Sequence, residues 1–410
     1  MTDWGALAEA RLHDLSAISE PGPGVTRLPF TPEHRAAVDL ISSWMEEAGM
    51  SVSLDDAGTL VGRLEGPDNS GTFYLGSHQD SVREGGAYDG IMGVVLPLLA
   101  IRKLRDDGIS LPFCVEILAF ADEEGVRFPT ALVGSRAIAG TFDASVLKMV
   151  DVEGVSLEQS LRDFGLHPDR IPTIRRPRPQ AIGYLETHIE QGPTLEAADQ
   201  ALGIVTAICG IERHQVTITG KTGHAGTLPM SGRQDALVAA AELITQVKRL
   251  AEQSDDIRGT VGQLFVAPNV VNAVPREVRM TAEFRSPDDP LREAAGQALH
   301  RFAENLASRT GMKIDILRSY AQPAQPCDER FRQILYSSIR LHGGTGLSLS
   351  SGATHDASAM ADLCPIAMLF VRCLDGQSHT PEEFASSFDM ARAVEVIADF
   401  LQNVAGPAAR

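Results

Sequence analysis

The stretch Gly76-Ser-His-Gln-Asp-Ser-Val-Arg-Glu-Gly-Gly-Ala-Tyr-Asp-Gly90 places His78, Asp80 and Asp89 in a glycine-rich turn directly after the apolar run Phe73-Tyr-Leu75. A second apolar run, Cys114 to Phe120, delivers Ala121-Asp-Glu-Glu-Gly125. Ionisable groups are unfavourable at the mouths of buried strands unless they are paired or hold a cation. Imidazoles and carboxylates gathered there are the donor set of divalent metal sites. The pattern suggests a metal-dependent hydrolase.

Outward from this stretch, apolar strand-like runs alternate with helical periodicity. Ala36 to Gly49 repeats Ala37, Val38, Ile41, Trp44 and Met45 at helical spacing, and Gly49 closes it. Strand-like runs follow at Ser51–Leu54, Leu60–Leu64 and Thr72–Leu75, then a buried helix over Ile91 to Leu104 and a buried strand over Phe113 to Phe120. This alternation predicts an α/β sheet covered on both faces, with ligands gathering at strand ends.

From Gly210 the rhythm changes to βαββαβ. Strands are predicted at His214–Thr219, Val261–Phe265, Arg276–Phe284 and Lys313–Arg318, and helices over Gln234 to Ala251 and Leu291 to Arg309. That order resembles a split-βαβ, ferredoxin-like sandwich folding as its own unit. Two domains are therefore expected: an α/β metal-binding catalytic domain over 1–209 and 324–410, interrupted by an inserted α+β domain over 210–323. A chain of 410 residues, 43% hydrophobic and 22% charged, is long enough for both cores.

A formal charge of −18 disfavours nucleic acid and anionic lipid as partners. The longest apolar stretch, around Ile91 to Ile101, is too short to span a bilayer. Five scattered cysteines (Cys114, Cys209, Cys327, Cys364, Cys373) form no C-x-x-C pair and suit buried thiols in a reducing compartment. Without a secretory h-region, a cytoplasmic protein is expected.

The remaining candidates recur in one context, close to where an apolar strand ends. His188 lies in Glu186-Thr-His-Ile-Glu-Gln-Gly-Pro193, and His379 in Asp375-Gly-Gln-Ser-His-Thr-Pro-Glu382. Any one of these histidines is more often a hydrogen-bonded structural residue. An isolated H-x-D such as His78/Asp80 is more often a surface pair, and adjacent acids such as Glu123/Glu124 usually face solvent. Their recurrence at strand ends favours a joint site. Asp80 is placed to accept the other N–H of a metal-bound His78. Asp89, at a turn that opens a buried helix, could bridge two cations. One of Glu123 and Glu124 is then a ligand and the other a general base, while Asp122 is a structural or charge-tuning residue. Nitrogen and oxygen donors without sulfur suit Zn²⁺, Mn²⁺, Co²⁺ or Ni²⁺. In the inserted stretch, His224, Asn272 and Arg285 supply donors for a carbonyl and a fork for a carboxylate; a turn-shaping Asn272 and a surface-paired Arg285 weigh equally.

Together the segments GSHQDSVREGGAYDG, FADEEGVRF with LVGSRAIAG, HIEQGPTLE, GHAGTLPM, PNVVNAVP, SGATHDA and DGQSHTPEE resemble the amidase/hydantoinase/carbamoylase branch of the dinuclear M20 metallopeptidase superfamily, in order from about residue 70 to 385. The resemblance implies two divalent ions: one held by His78, Asp89 and His188, the other by Asp89, Glu124 and His379, with Asp89 bridging. It implies Glu123 as general acid/base, Asp80 behind His78, and substrate read by Gln191, His224, Asn272 and Arg285. Homodimerisation through the inserted domain is implied as well, with His224 reaching the partner subunit's site. A histidine at 188, where related exopeptidases place a carboxylate, points to ureido acids: N-carbamoyl-L-amino acids first, allantoate or N-carbamoyl-β-alanine next. N-acyl or dipeptide hydrolysis and a non-catalytic binder are the remoter alternatives. Two positions depart from the family pattern, Thr354 in SGATHDA and Glu283 in Ala-Glu-Phe-Arg285. They bear on substrate preference.

Overall fold

The computed structural model describes residues 2–67 and 70–404. The outermost ends of the expected catalytic segments, Met1 and 405–410, lie outside them. Along the chain the strands are β1 (Ser51–Leu54), β2 (Leu60–Leu64), β3 (Thr72–His78), β4 (Cys114–Phe120), β5 (Ala181–Ile189) and β6 (Leu202–Ile208). Then come β7 (Gly210–Thr219), β8 (Arg258–Thr260), β9 (Leu264–Ala267), β10 (Glu277–Ser286) and β11 (Lys313–Gln322). The last are β12 (Gln325–Pro326), β13 (Ser348–Ser351) and β14 (Ile366–Val371).

The chain divides into two compact units. The first comprises Met1–Thr206, Cys327–Leu349 and Thr354–Arg410; the second comprises Ala207–Pro326 with Ser350–Ala353. The last segment, from the SGAT loop, is one that the sequence places with the catalytic domain.

In the first unit the strands lie in the order β1-β2-β4-β3-β5-β14-β6. The central four, β4, β3, β5 and β14, run parallel. Every residue of β3, β4 and β14 is buried, as expected for parallel strands covered on both faces. One cover is the helix Met92–Asp106, in which Val94, Val95, Leu96, Leu98, Leu99 and Ala100 are almost wholly buried. A helix apolar on all sides belongs between layers, and this one packs in a core with residues of the helices Trp4–Ser16 and Ser387–Val404. The helix expected from Ala36 starts at Pro32, because Thr31 caps it by accepting the His34 N–H at 3.2 Å and Pro32 suits the first turn.

The second unit is a sheet in the order β11-β7-β10-β8, all antiparallel, with β9 also on β10. This is the strand order of a ferredoxin-like sandwich. The helices Ala236–Ala251 and Asp289–Thr310 cover one face through Leu243, Val247, Leu299 and Leu306 packed on Phe284 and Val278. The single strand expected over Val261–Phe265 is instead two, β8 and β9. The break falls at 261–263, about Gly262, where Gln263 N–H turns to the Thr281 hydroxyl at 3.2 Å. Glycine inside a strand commonly marks such an irregularity.

All five cysteines are buried free thiols. Among the described residues no helix is long and apolar enough to cross a membrane.

Candidate metal centre

Parallel strands deliver their C-terminal ends to one edge of a sheet, and neighbouring strands lie about 4.8 Å apart. The order β4-β3-β5-β14 therefore lines up four turns: Asp122-Glu123-Glu124 after β4, His78 ending β3, His188 near the end of β5, and the loop after β14 that carries His379. Asp89 comes from the connection between β3 and the helix at Met92.

The five expected ligands meet here. His78, Asp89 and His188 form one group whose ligand atoms all lie within 4.8 Å of one another, and Asp89, Glu124 and His379 form a second. Asp89 is common to both, with its two oxygens divided between them. Oδ1 lies 3.4 Å from His78 Nε2 and 3.1 Å from His188 Nε2, while Oδ2 lies 3.4 Å from His379 Nε2. His78, His188 and Asp89 are buried, but the His379 side chain is 48% exposed, so the site opens on that side.

Backbone geometry makes room for the cluster. Gly90, at φ +66°, passes so close to the His78 ring that a Cβ there would stand 2.3 Å from it. Asp122, Gln191 and His379 all adopt φ near +58°, at 58°, 57° and 59°. Non-glycine residues in that region are sparsely populated and gather at functional sites.

The inner imidazoles are oriented from behind. His78 Nδ1 is 2.9 Å from the carbonyl oxygen of Asp80, and His188 Nδ1 is 2.9 Å from that of Ile189. Each Nδ1–H donating backward leaves Nε2 facing Asp89, the tautomer a metal ligand needs. The Asp80 carboxylate does not take the role expected of it, since its nearer oxygen is 3.9 Å from His78 Nδ1. It accepts instead the backbone N–H groups of Glu123 at 3.2 Å and Glu124 at 3.3 Å.

Electrostatics follow from packing three imidazoles and several carboxylates into a largely buried pocket. Burial opposes charge on His78, but Asp89, Glu123, Asp80 and Glu124 outweigh it and raise the imidazole well above its ordinary range. His188 is raised in the same way, chiefly by Asp89 against burial, and His379 by its hydrogen bond to Asp89. Asp89 is held well below the usual carboxylate range: burial pushes it up, and His188, His379 and His78 more than reverse this. Burial raises Glu123 well above the normal range, with Glu124, Asp356 and Asp80 adding to it. Glu123 Oε2 lies 4.0 Å from His78 Nε2. Burial likewise raises Glu124, whose Oε1 is buried without a hydrogen-bond partner. Asp122 is wholly buried with both oxygens unpartnered, and burial raises it well above its range.

Divalent ions fit this donor set. Nitrogen and carboxylate oxygen converge without sulfur, one carboxylate faces two groups, and the orphaned Glu124 oxygen lies 3.7 Å from His379 Nε2.

Gln191, expected at the substrate, donates to Asp89 Oδ2 at 2.8 Å and to Ser378 Oγ at 3.1 Å. Ser378, which the sequence does not single out, donates to the same Asp89 oxygen at 2.7 Å. Also unforeseen are Glu186, which accepts from Ser77 Oγ at 2.6 Å and Ala357 N–H at 2.8 Å, and His355, whose ring centroid lies 4.6 Å from that of His188.

His224, Asn272 and Arg285 belong to the second unit. His224 and Asn272 are exposed neighbours, the Ala225 N–H donating to the Asn272 carbonyl at 2.9 Å. Arg285 Nε donates to Glu283 at 2.7 Å and its Nη1 to the Gly352 carbonyl at 2.8 Å. Glu283, one of the two departures from the family pattern, thus contacts the arginine directly.

Residues 74–403 match Peptidase family M20/M25/M40. An N-carbamoyl-L-amino acid amidohydrolase of Geobacillus stearothermophilus is 39% identical over 94% of this chain and 95% of its own length. An allantoate deiminase of Arabidopsis thaliana is 35% identical over 97% of this chain and 82% of its own. Among solved structures, an amidase of the hydantoinase/carbamoylase family from Burkholderia multivorans superposes with a TM-score of 0.92 at 32% identity, covering 98% of both chains. The chain belongs to the M20 family, in its hydantoinase/carbamoylase amidase branch, and is a metal-dependent hydrolase of non-peptide C–N bonds.

Proposed function

We propose that this enzyme hydrolyses the ureido C–N bond of N-carbamoyl-L-amino acids, giving the amino acid, carbon dioxide and ammonia, with two divalent ions held about Asp89. The observation that carries it is the division of the Asp89 carboxylate between His78/His188 and His379. His78, Asp89 and His188 would hold one ion and Asp89, Glu124 and His379 the other, whether zinc, manganese, cobalt or nickel. Such ions, when bound, polarise a carbonyl and lower the proton affinity of water.

The protein residues do the rest. Glu123 takes a proton from the attacking water as its oxygen bonds to the ureido carbon, and passes that proton to the amino-acid nitrogen as the C–N bond breaks. The released carbamic acid decomposes to carbon dioxide and ammonia. Asp80 anchors the peptide groups of the acid pair. Gln191, His224, Asn272 and Arg285 read the substrate, with Arg285 gripping its carboxylate. His224 serves the partner subunit's site in a homodimer formed through the inserted domain; the exposed Phe265, Val270 and Val271 of that domain support a covered face.

The experiment is an ammonia-release assay on N-carbamoyl-L-methionine, N-carbamoyl-β-alanine and allantoate with Mn²⁺ added. N-carbamoyl-L-methionine is expected to give the highest kcat/KM. Preference for allantoate would move the assignment to that substrate, and cleavage of N-acyl or dipeptide substrates alone would overturn it.

A further inference from the structure

Glu383 lies four residues beyond His379, on the loop whose ends are tied by the Leu374 N–H donating to the Phe384 carbonyl at 2.9 Å. It is 4% exposed, and a single oxygen, Oε1, accepts the backbone N–H groups of both Tyr88 and Asp89 at 2.9 Å each. These two hydrogen bonds span 295 and 294 residues of sequence. They join the loop carrying His379 to the turn carrying the carboxylate that faces both ligand groups. The Glu383 side chain packs against Gly86, where a Cβ would stand 2.3 Å from Glu383 Cδ and Oε1.

We propose that Glu383 is a positioning residue for the metal pair: it fixes the Asp89 peptide, so its loss weakens uptake of both ions though it touches neither. This rests on the dinuclear reading above. It follows from the geometry because a carboxylate aimed at two consecutive N–H groups sets the direction of the Asp89 Cα–Cβ bond. A shared ligand transmits any error in that direction to both groups. Gly86 is then small so that this carboxylate can reach its place, and its φ does not require glycine.

The test uses the full-length protein, stripped with chelator and titrated with Mn²⁺ by calorimetry, with bound metal counted by mass spectrometry and folding followed by thermal melting. Glu383→Ala is expected to weaken uptake of both ions about 10–100-fold, the usual loss for a group behind a ligand. Glu383→Gln, whose amide oxygen still accepts both N–H groups, should retain uptake near wild type. Gly86→Ala should reproduce the Glu383→Ala loss by displacing the carboxylate, and should add nothing in a Glu383→Ala background. Wild-type uptake with Glu383→Ala unchanged, or additive losses in the double variant, overturns the proposal alone. A wild-type protein that takes up no divalent ion overturns the dinuclear reading and this proposal with it.

Discussion

His78 Nδ1 meets the main-chain carbonyl of Asp80 at 2.9 Å, while the Asp80 carboxylate stands 3.9 Å away and holds the peptides of Glu123 and Glu124. The two functions of Asp80 are thus separable. Asp80→Asn keeps the carbonyl but turns an NH₂ toward one of two backbone N–H donors. We expect kcat to fall about 10–100-fold with two metals still bound. A loss of metal as severe as that of His78→Ala, measured by mass spectrometry, would show that the carboxylate orients the imidazole after all.

Glu123 is buried beside His78 and forms a third group with His78 and Glu124, but it belongs to neither of the two groups that share Asp89. Glu123→Gln should therefore keep both ions and lose turnover by about 10²–10⁴-fold, the range for a positioned proton-transfer group. If Glu123→Gln kept its rate, Asp122 or another base would have to carry the proton.

Metal uptake should release protons. In the ion-free site Asp89 and its neighbours raise His78, His188 and His379, so these imidazoles retain protons at higher pH than free histidine. A cation must displace them. Apparent affinity should consequently fall as pH falls through those raised values. Calorimetry at pH 7 in buffers of different ionisation enthalpy checks this, and a heat independent of buffer would contradict it.

Away from the site, His34 is buried, accepts the Phe30 N–H at 2.8 Å and stacks on Phe164 at 4.9 Å. Burial, with Arg27 and Arg35 nearby, lowers it to about 3. The folded state therefore binds this proton later than the unfolded chain does. The associated stability is complete above the ordinary histidine value of about 6.5 and is lost as pH falls toward 3, at up to about 1.4 kcal/mol per pH unit. His34→Gln should flatten that part of the profile relative to wild type in urea unfolding. Parallel profiles would refute it.

The candidate cluster is legible in the sequence because it obeys a rule of parallel sheets. Each apolar run is buried on both faces, so a histidine or acid just beyond it stands out against its neighbours, as with His78, Glu123 and His188. His379, eight residues past β14, follows the apolar run 367–371 and shares that context at a greater distance. What the sequence hides is the support. Glu383 and Asp89, Gln191 and Ser378, or Glu186 and Ala357 meet across loops with no periodicity to betray the contact. The sequence also does not show which Asp80 acceptor takes the His78 Nδ1–H, since the carbonyl and the carboxylate of one residue compete for one imidazole. In the inserted unit the alternation predicts the order of elements along the chain, while one predicted strand around Gly262 proves to be two, β8 and β9.

The most direct measurement is anomalous diffraction from crystals grown with excess Mn²⁺. The account predicts two peaks on either side of Asp89, one against His78 and His188 and the other against Glu124 and His379. Strong peaks elsewhere with these five side chains unliganded would contradict it.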